Sequence, residues 1–287
     1  MRRIQLANGM KVPALGQGTW MLGEDSANRE AELKALHAGV EAGATLIDTA
    51  EMYGDGRSES LVGEAISSLP NNLSRDDLFL VSKALPQNAG RAHIFDSCDA
   101  TLRRLRTDYL DLYLLHWRGP VPLAETVDCM EELQAQGKIR AWGVSNFDIE
   151  DMEELWRVPD GPNCQVNQVL YHAGSRGIEF SLLPWMRNHS VALMSYCPLA
   201  QAGAIRRGLL EEPVLAGIAK RHGATPVQVL LAWNIRDGHT VTIPRTGSAE
   251  HACENAAAVQ LELTAEDLAE LDTAFPPPEW KMPLDME

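Results

Sequence analysis

The chain has 287 residues, 45% of them hydrophobic and 23% charged, enough to bury a substantial core in one large α/β domain or two small ones. Its net charge of −15 argues against nucleic acid or an anionic membrane as a main partner, while leaving room for a phosphorylated ligand at a local cationic patch. Five dispersed cysteines without CxxC or Cys/His spacing argue against a disulfide framework and a zinc site, and no run reaches transmembrane length.

The first expected element is a hairpin over residues 3–13. Ile4 and Leu6 precede the turn pair Asn8-Gly9, and Met10 and Val12 follow it. Strand and helix patterns then alternate. Strands are expected to end near Gly18, Asp48, Lys83, His116, Ser145, Gln168, Tyr196 and Arg245. Between them Leu33, Leu36 and Val40 share a helical face, as do Leu61, Ala65 and Leu69, and Leu123, Val127 and Met130 before a stop at Gly137. Thr225-Pro226 opens a helix through Ala232, and Thr264 with Asp267 forms a capping box for one through Leu271. Eight strands alternating with helices predict a (β/α)8 TIM barrel over residues 1–287 as one domain, with the N-terminal hairpin closing its bottom. A doubly wound dinucleotide fold fits less well, because Gly16-Gln17-Gly18 lacks the third glycine and Thr19-Trp20-Met21 opens no helix. Met1-Arg2-Arg3 has no apolar stretch behind it, so a cytoplasmic protein is expected.

Charged and polar residues closing apolar runs need a reason, and in a parallel barrel those ends converge on one face. Asp48, Lys83 and His116 stand at such ends, with Tyr53 a few residues beyond Asp48. Taken singly, each has a plain structural reading as a hydrogen-bonder, a salt bridge or a solvated loop tyrosine. Together they form a set that can polarise a carbonyl and protonate its oxygen as a hydride reaches its carbon. A lysine ammonium beside a tyrosine is expected to lower the phenol's pKa from near 10. Asp48 pairs with Lys83 in this scheme, and a neutral His116 orients the carbonyl.

Several stretches carry a resemblance: Gly18-Thr19-Trp20, residues 48–54 (DTAEMYG), Ser82-Lys83, Leu114-Leu115-His116-Trp117, residues 142–147 (WGVSNF), Asn167-Gln168, Tyr196-Cys197-Pro198-Leu199 and Ile243-Pro244-Arg245. In this order they resemble the aldo-keto reductases, and residues 168–172, 174–178 and 198–203 are similar to its bacterial methylglyoxal reductase branch. The resemblance implies an NADPH-dependent reductase of small aldehydes and ketones, α-oxoaldehydes such as methylglyoxal included, with NADH weaker. It implies Tyr53 as general acid, tuned by Lys83 and Asp48, and His116 as carbonyl orienter. Gly18, Thr19 and Trp20 would border the cofactor, Ser145, Asn146 and Gln168 would hold the nicotinamide carboxamide, and Tyr196 would stack on the ring. Pro198, Leu199, Gln201 and Gly203 would follow the pyrophosphate. Arg245, Thr246, Gly247, Ser248, His251, Glu254 and Asn255 would grip the adenosine end. The family commonly has Lys at the position of Arg245 and Arg at that of His251, which makes the 2′-phosphate contact differ here. Trp20, Met52, His116 and Trp117 would wall the substrate pocket. The expected partner is a small carbonyl compound, the expected state a monomer, and no metal is expected. Two rival readings are an NADP(H)-binding sensor subunit without turnover and a Schiff-base aldolase using Lys83.

Overall fold

The computed structural model describes residues 2–70, 73–201 and 203–286. Strands β1 (Arg3–Gln5) and β2 (Lys11–Pro13) form the antiparallel hairpin, with Ile4 opposite Val12. Its connection spans three residues: Gly9 N–H donates to Leu6 O and Leu6 N–H to Met10 O, each at 2.9 Å. Only Gly9 adopts positive φ, 87°, so Asn8 serves the turn differently from the expected two-residue form. Its side-chain oxygen accepts from Met10 N–H at 3.0 Å.

The chain then alternates as the sequence pattern predicts. β3 (Gly16–Gly18), α1 (Arg29–Glu41), β4 (Leu46–Asp48) and α2 (Arg57–Ser67) come first. They are followed by β5 (Phe79–Ala84), α3 (Ile94–Leu105), β6 (Leu112–Leu115) and α4 (Leu123–Ala135), which ends just before Gly137. Next come β7 (Trp142–Ser145), α5 (Ile149–Trp156), β8 (Val166–Leu170), α6 (Leu182–Asn188) and β9 (Ala192–Tyr196). Three helices, α7 (Gly203–Leu210), α8 (Pro213–His222) and α9 (Pro226–Asn234), precede β10 (Thr240–Thr242), and α10 (Ala249–Ala257) and α11 (Ala265–Ala274) close the described elements. Capping boxes at Thr225/Gln228 and Thr264/Asp267 start α9 and α11.

Among the described residues β3 to β10 form one eight-stranded parallel sheet in sequence order. Parallel bridges Leu15–Thr242 and Gly18–Arg245 join its first and last strands and close the barrel. Two apolar clusters follow from the two-residue period of the strands. Outward residues such as Ile47, Leu80, Tyr113, Leu115 and Val169 pack under the helices against Leu36, Val127, Met130 and Leu230. Inward residues such as Leu46, Phe79, Leu112, Val166 and Ala192 meet Ile4, Leu6 and Val12 of the hairpin, which thereby covers the N-terminal ends of the strands. No helix among the described residues is long and apolar enough to cross a membrane.

Candidate active site

Two-residue alternation also builds the site. Inward positions climb as Leu46 then Asp48, Phe79, Val81 then Lys83, and Leu112, Leu114 then His116. The same steps lead through Ala141 to Ser145, through Val166 to Gln168, through Ala192 and Met194 to Tyr196, and through Val241 and Ile243 to Arg245. The lower rungs are apolar and fill the barrel. Each top rung is polar, at the face where barrel chemistry is done.

At the centre, the Lys83 ammonium is fully buried and donates to Asp48 Oδ1 at 2.7 Å, Thr49 O at 2.8 Å and Tyr53 Oη at 3.2 Å. Three donors meet three acceptors, so the cation is saturated. The other Asp48 oxygen accepts from Gln168 Nε2 at 2.9 Å. Burial opposes the charge on Lys83, but Asp48 and Tyr53 outweigh it and raise the ammonium's pKa. Burial also raises the Asp48 carboxyl, against the pull of Lys83 and Gln168. For Tyr53 the expectation of a lowered phenol is reversed: burial dominates and raises its pKa, and Lys83 only restrains the rise. Tyr53 therefore stays a phenol at neutral pH. Its oxygen already accepts from Lys83, so the phenolic proton is left to be given elsewhere.

Local backbone aims this tyrosine. Tyr53 starts a turn in which Gly54, Asp55 and Gly56 all have positive φ, 57°, 53° and 82°, before α2 opens at Arg57. Glycine takes these angles without a Cβ clash, and aspartate is among the residues that tolerate them. Arg57 Nε donates to Gly54 O at 2.7 Å and fixes the reversal. His116 lies edge-on to Tyr53, ring centroids 5.8 Å apart. Burial, then the nearby Lys83, pushes its pKa down to about 2, so the ring is neutral. Among the described residues its Nδ1 is buried without a hydrogen-bond partner.

Tyr53, His116, Asp48, Met52, Gly18, Thr19, Trp20, Ser145, Asn146, Gln168 and Tyr196 line one cavity of about 530 Å³, as do Pro198, Leu199, Gln201 and Arg245. Thr19 Oγ1 donates to Asp48 O at 2.9 Å, tying β3 to β4. Asn146, at φ 58°, donates to His116 O at 3.1 Å and accepts from Tyr196 Oη at 2.9 Å. Ser145 Oγ donates to Gln168 O at 2.8 Å. Asn146 Nδ2 also donates to Ser145 Oγ at 3.2 Å, so Ser145, Asn146 and the Tyr196 hydroxyl form one hydrogen-bonded set on the wall of the cavity that Tyr53 lines.

Other candidates fall outside this cavity. Trp117 packs on His116 with centroids 4.8 Å apart but does not line it. Thr246 and Asn255 line a separate small recess with Gln17 and Pro244. Ser248 caps α10 by accepting from His251 N–H, Gly247 lies near Glu32, and Glu254 O accepts from Gln228 Nε2. Gly203 opens α7, while Ala202, within the segment expected along the pyrophosphate, lies outside the described residues. Ala200, within the segment expected along the pyrophosphate, lines the cavity, and Met21, Cys197, Arg206, Ile243 and Pro244 line it without having been singled out for it. Arg206 is the consequential omission, since it sits in α7, far from any strand end that sequence patterning flags.

The donor set suits a nicotinamide dinucleotide. Gln168 is held through its Nε2, which leaves its carbonyl oxygen available to a carboxamide, and Tyr196 presents a ring for stacking. Among the described residues the one acid on the wall, Asp48, is matched by Lys83, and Arg245 and Arg206 there have no carboxylate partner, which suits phosphate.

Residues 14–275 match the aldo/keto reductase family. The chain belongs to that family. It is 52% identical over 285 residues, 99% of each chain, to methylglyoxal reductase YeaE of Escherichia coli strain K12. It is 33% identical over 269 residues to glyoxal reductase of Bacillus subtilis strain 168, covering 94% of this chain and 91% of that one. Among solved structures it superposes with a TM-score of 0.95 on an aldo/keto reductase from Klebsiella pneumoniae in complex with NADP and acetate, at 52% identity and full coverage of both chains. As a member of the aldo/keto reductases, this chain places its charged centre at the C-terminal mouth of its barrel.

Proposed function

We propose that this aldo/keto reductase reduces small aldehydes and ketones to alcohols with NADPH, and that α-oxoaldehydes such as methylglyoxal are among its substrates. The observation that carries the reading is the donor count at Lys83: with all three N–H groups engaged, the Tyr53 hydroxyl accepts from the lysine and gives its own proton to a ligand. The bound cofactor supplies the hydride. Ser145, Asn146 and Gln168 hold its carboxamide, and Tyr196 fixes the face of its ring. Neutral His116 orients the carbonyl oxygen toward Tyr53, which protonates it as negative charge develops. The α-oxoaldehyde preference draws on the named activities of the E. coli and B. subtilis relatives and on a cavity with aromatic and apolar walls from Trp20, Met21, Met52 and Tyr196.

The aldolase alternative needs a neutral amine at Lys83, whereas Asp48 and Tyr53 hold this lysine protonated. We further propose a cytoplasmic monomer in which the chain acts as one domain. The test follows NADPH and NADH oxidation by the purified protein with small aldehydes, α-oxoaldehydes and sugars. Turnover with α-oxoaldehydes and NADPH supports the reading. Cofactor binding without turnover on any carbonyl would leave a sensor subunit instead.

A further inference from the structure

Tyr53 stands at the head of a permissive stretch of backbone. Gly54, Asp55 and Gly56 follow it with positive φ, and two of the three are glycines. Hydrogen bonds within the turn do not tie it to the barrel: Tyr53 N–H donates to Ala50 O at 3.1 Å and Asp55 N–H to Met52 O at 3.2 Å. The backbone link to β5 also weakens on the approach, from 2.9 Å for Thr49 N–H on Val81 O to 3.4 Å for Glu51 N–H on Lys83 O. Yet the Tyr53 hydroxyl meets the Lys83 ammonium at 3.2 Å. Side chains outside the turn must hold the two together.

Two carboxylates flank the tyrosine in sequence, and both reach the β5 segment. On one side, Glu51 Oε1 accepts from Leu85 N–H at 2.6 Å and from Asn88 Nδ2 at 3.0 Å. On the other, Glu59 is fully buried in the first turn of α2. Its Oε1 accepts from Ser82 Oγ at 2.6 Å and its Oε2 from Arg104 Nε at 2.5 Å. Arg104 completes this second clamp from α3. A Cβ added to Gly56 would fall 2.6 Å from Arg104 Cδ, so the arginine stem lies against the end of the turn. Ser82 and Leu85 bracket Lys83, as Glu51 and Glu59 bracket Tyr53. The tyrosine segment is thus fastened on both sides of the tyrosine, at points on both sides of the lysine. Neither Glu51 nor Glu59 lines the cavity.

We infer that Glu51 and Glu59 are positioning residues for the proton transfer, setting the distance between the Tyr53 hydroxyl and the Lys83 ammonium, an assignment that rests on the reductase reading above. They act through Tyr53 and touch neither substrate nor cofactor. Their loss therefore lowers the rate of the chemical step and leaves half-saturation by carbonyl and by NADPH where it was. A lysine held farther off also restrains the phenol less, so alcohol oxidation then needs higher pH. Both bonds to Glu51 come from neutral donors and fall on one oxygen, which glutamine offers as a carbonyl and alanine does not. Ser82→Ala cuts the link from Glu59 to β5 and keeps the ion pair with Arg104. The test is single-turnover NADPH oxidation, with alcohol oxidation across pH, in wild type, Glu51→Ala, Glu51→Gln and Ser82→Ala. Rates are counted per NADPH-binding site, so that a partly unfolded preparation does not distort them. Glu51→Ala and Ser82→Ala should each lose roughly ten- to a hundredfold in rate, the scale of a misplacement of about 1 Å. Their alcohol-oxidation limb should move to higher pH, and Glu51→Gln should recover most of the loss. A wild-type rate and pH profile in either variant removes its carboxylate from the role, and in both overturns the inference with the reductase reading intact. A loss in Glu51→Gln equal to that in Glu51→Ala, or a change confined to half-saturation, overturns it as well. Wild type that binds NADPH and reduces no carbonyl overturns the reductase reading itself.

Discussion

At the scale of single residues, the proposed reaction gives the proton to one hydroxyl and its placement to one ammonium. Tyr53→Phe retains the ring that meets His116 edge-on and lies 4.8 Å from Lys83 Nζ, and removes only the oxygen. Carbonyl reduction should fall roughly 10²–10⁴-fold, the usual worth of positioned acid catalysis. NADPH affinity, measured by fluorescence titration, should stay at the wild-type value; a variant with normal turnover would remove Tyr53 from the role. Lys83→Met leaves the fully buried Asp48 carboxylate without its ion pair, and chemical denaturation should show a loss of roughly 3–5 kcal/mol. Adding Asp48→Asn should recover much of that stability but none of the chemistry. Removing the cation also frees the phenol to rise further, because Lys83 is what restrains it. Alcohol oxidation, which needs the phenolate, should then require higher pH in any residual activity; a superimposable pH profile would mean that Lys83 does not tune Tyr53.

At the scale of elements, strand ends decide which residues meet. β4, β7 and β9 end at Asp48, Ser145 and Tyr196, where the apolar runs stop. β5 runs one residue past Lys83, β8 two past Gln168, and β10 stops three before Arg245. Only the parity of each position mattered, since an inward residue stays inward whether its strand ends there or later. That is why the convergence of Asp48, Lys83 and His116 was legible without exact boundaries. Arg206 was not, because a helix following a loop gives no parity to read. Trp117 was misjudged for the opposite reason: it directly follows inward His116, so alternation turns it away from the cavity it was expected to wall. The adenosine-side proposal also belongs here, as it concerns the link from β10 into α10. Arg245→Ala should weaken NADPH far more than NADH, and His251→Arg should tighten NADPH most clearly above neutral pH, where an imidazole is uncharged. Equal losses of both cofactors in Arg245→Ala would show that this link does not read the 2′-phosphate.

For the whole molecule, burial of neutral imidazoles contributes to the response to acid, alongside carboxyls such as Asp237 and Asp267 that are held below the usual range. His116 is pushed down to about 2 by burial and Lys83, and His172 to about 4 by burial against an opposing pull from Asp285. The unfolded chain takes up these protons near pH 6.5, while the native state refuses them until much lower pH. Their contribution to stability is complete above about 6.5 and is lost as pH falls, His172's down to about 4 and His116's down to about 2. Each such proton gives a slope of about 1.4 kcal/mol per pH unit within its window. Asp48 works in the opposite sense, since its raised pKa lets the native state take up a proton before the unfolded chain does. Denaturant titrations between pH 4 and 7 should show stability falling toward acid, and His172→Asn should flatten the slope; a slope unchanged in that variant would assign the acid sensitivity elsewhere. The seam of the barrel adds a constraint in time. β3 is made within the first twenty residues, but its second neighbour, β10, begins only at Thr240. A nascent chain on the ribosome therefore carries two open sheet margins, one at β3 and one at the latest strand, until most of its length has been synthesised. Exposed margins of this kind recruit other strands, so a transcript truncated before Thr240 should yield a sticky, half-wound sheet rather than a smaller enzyme.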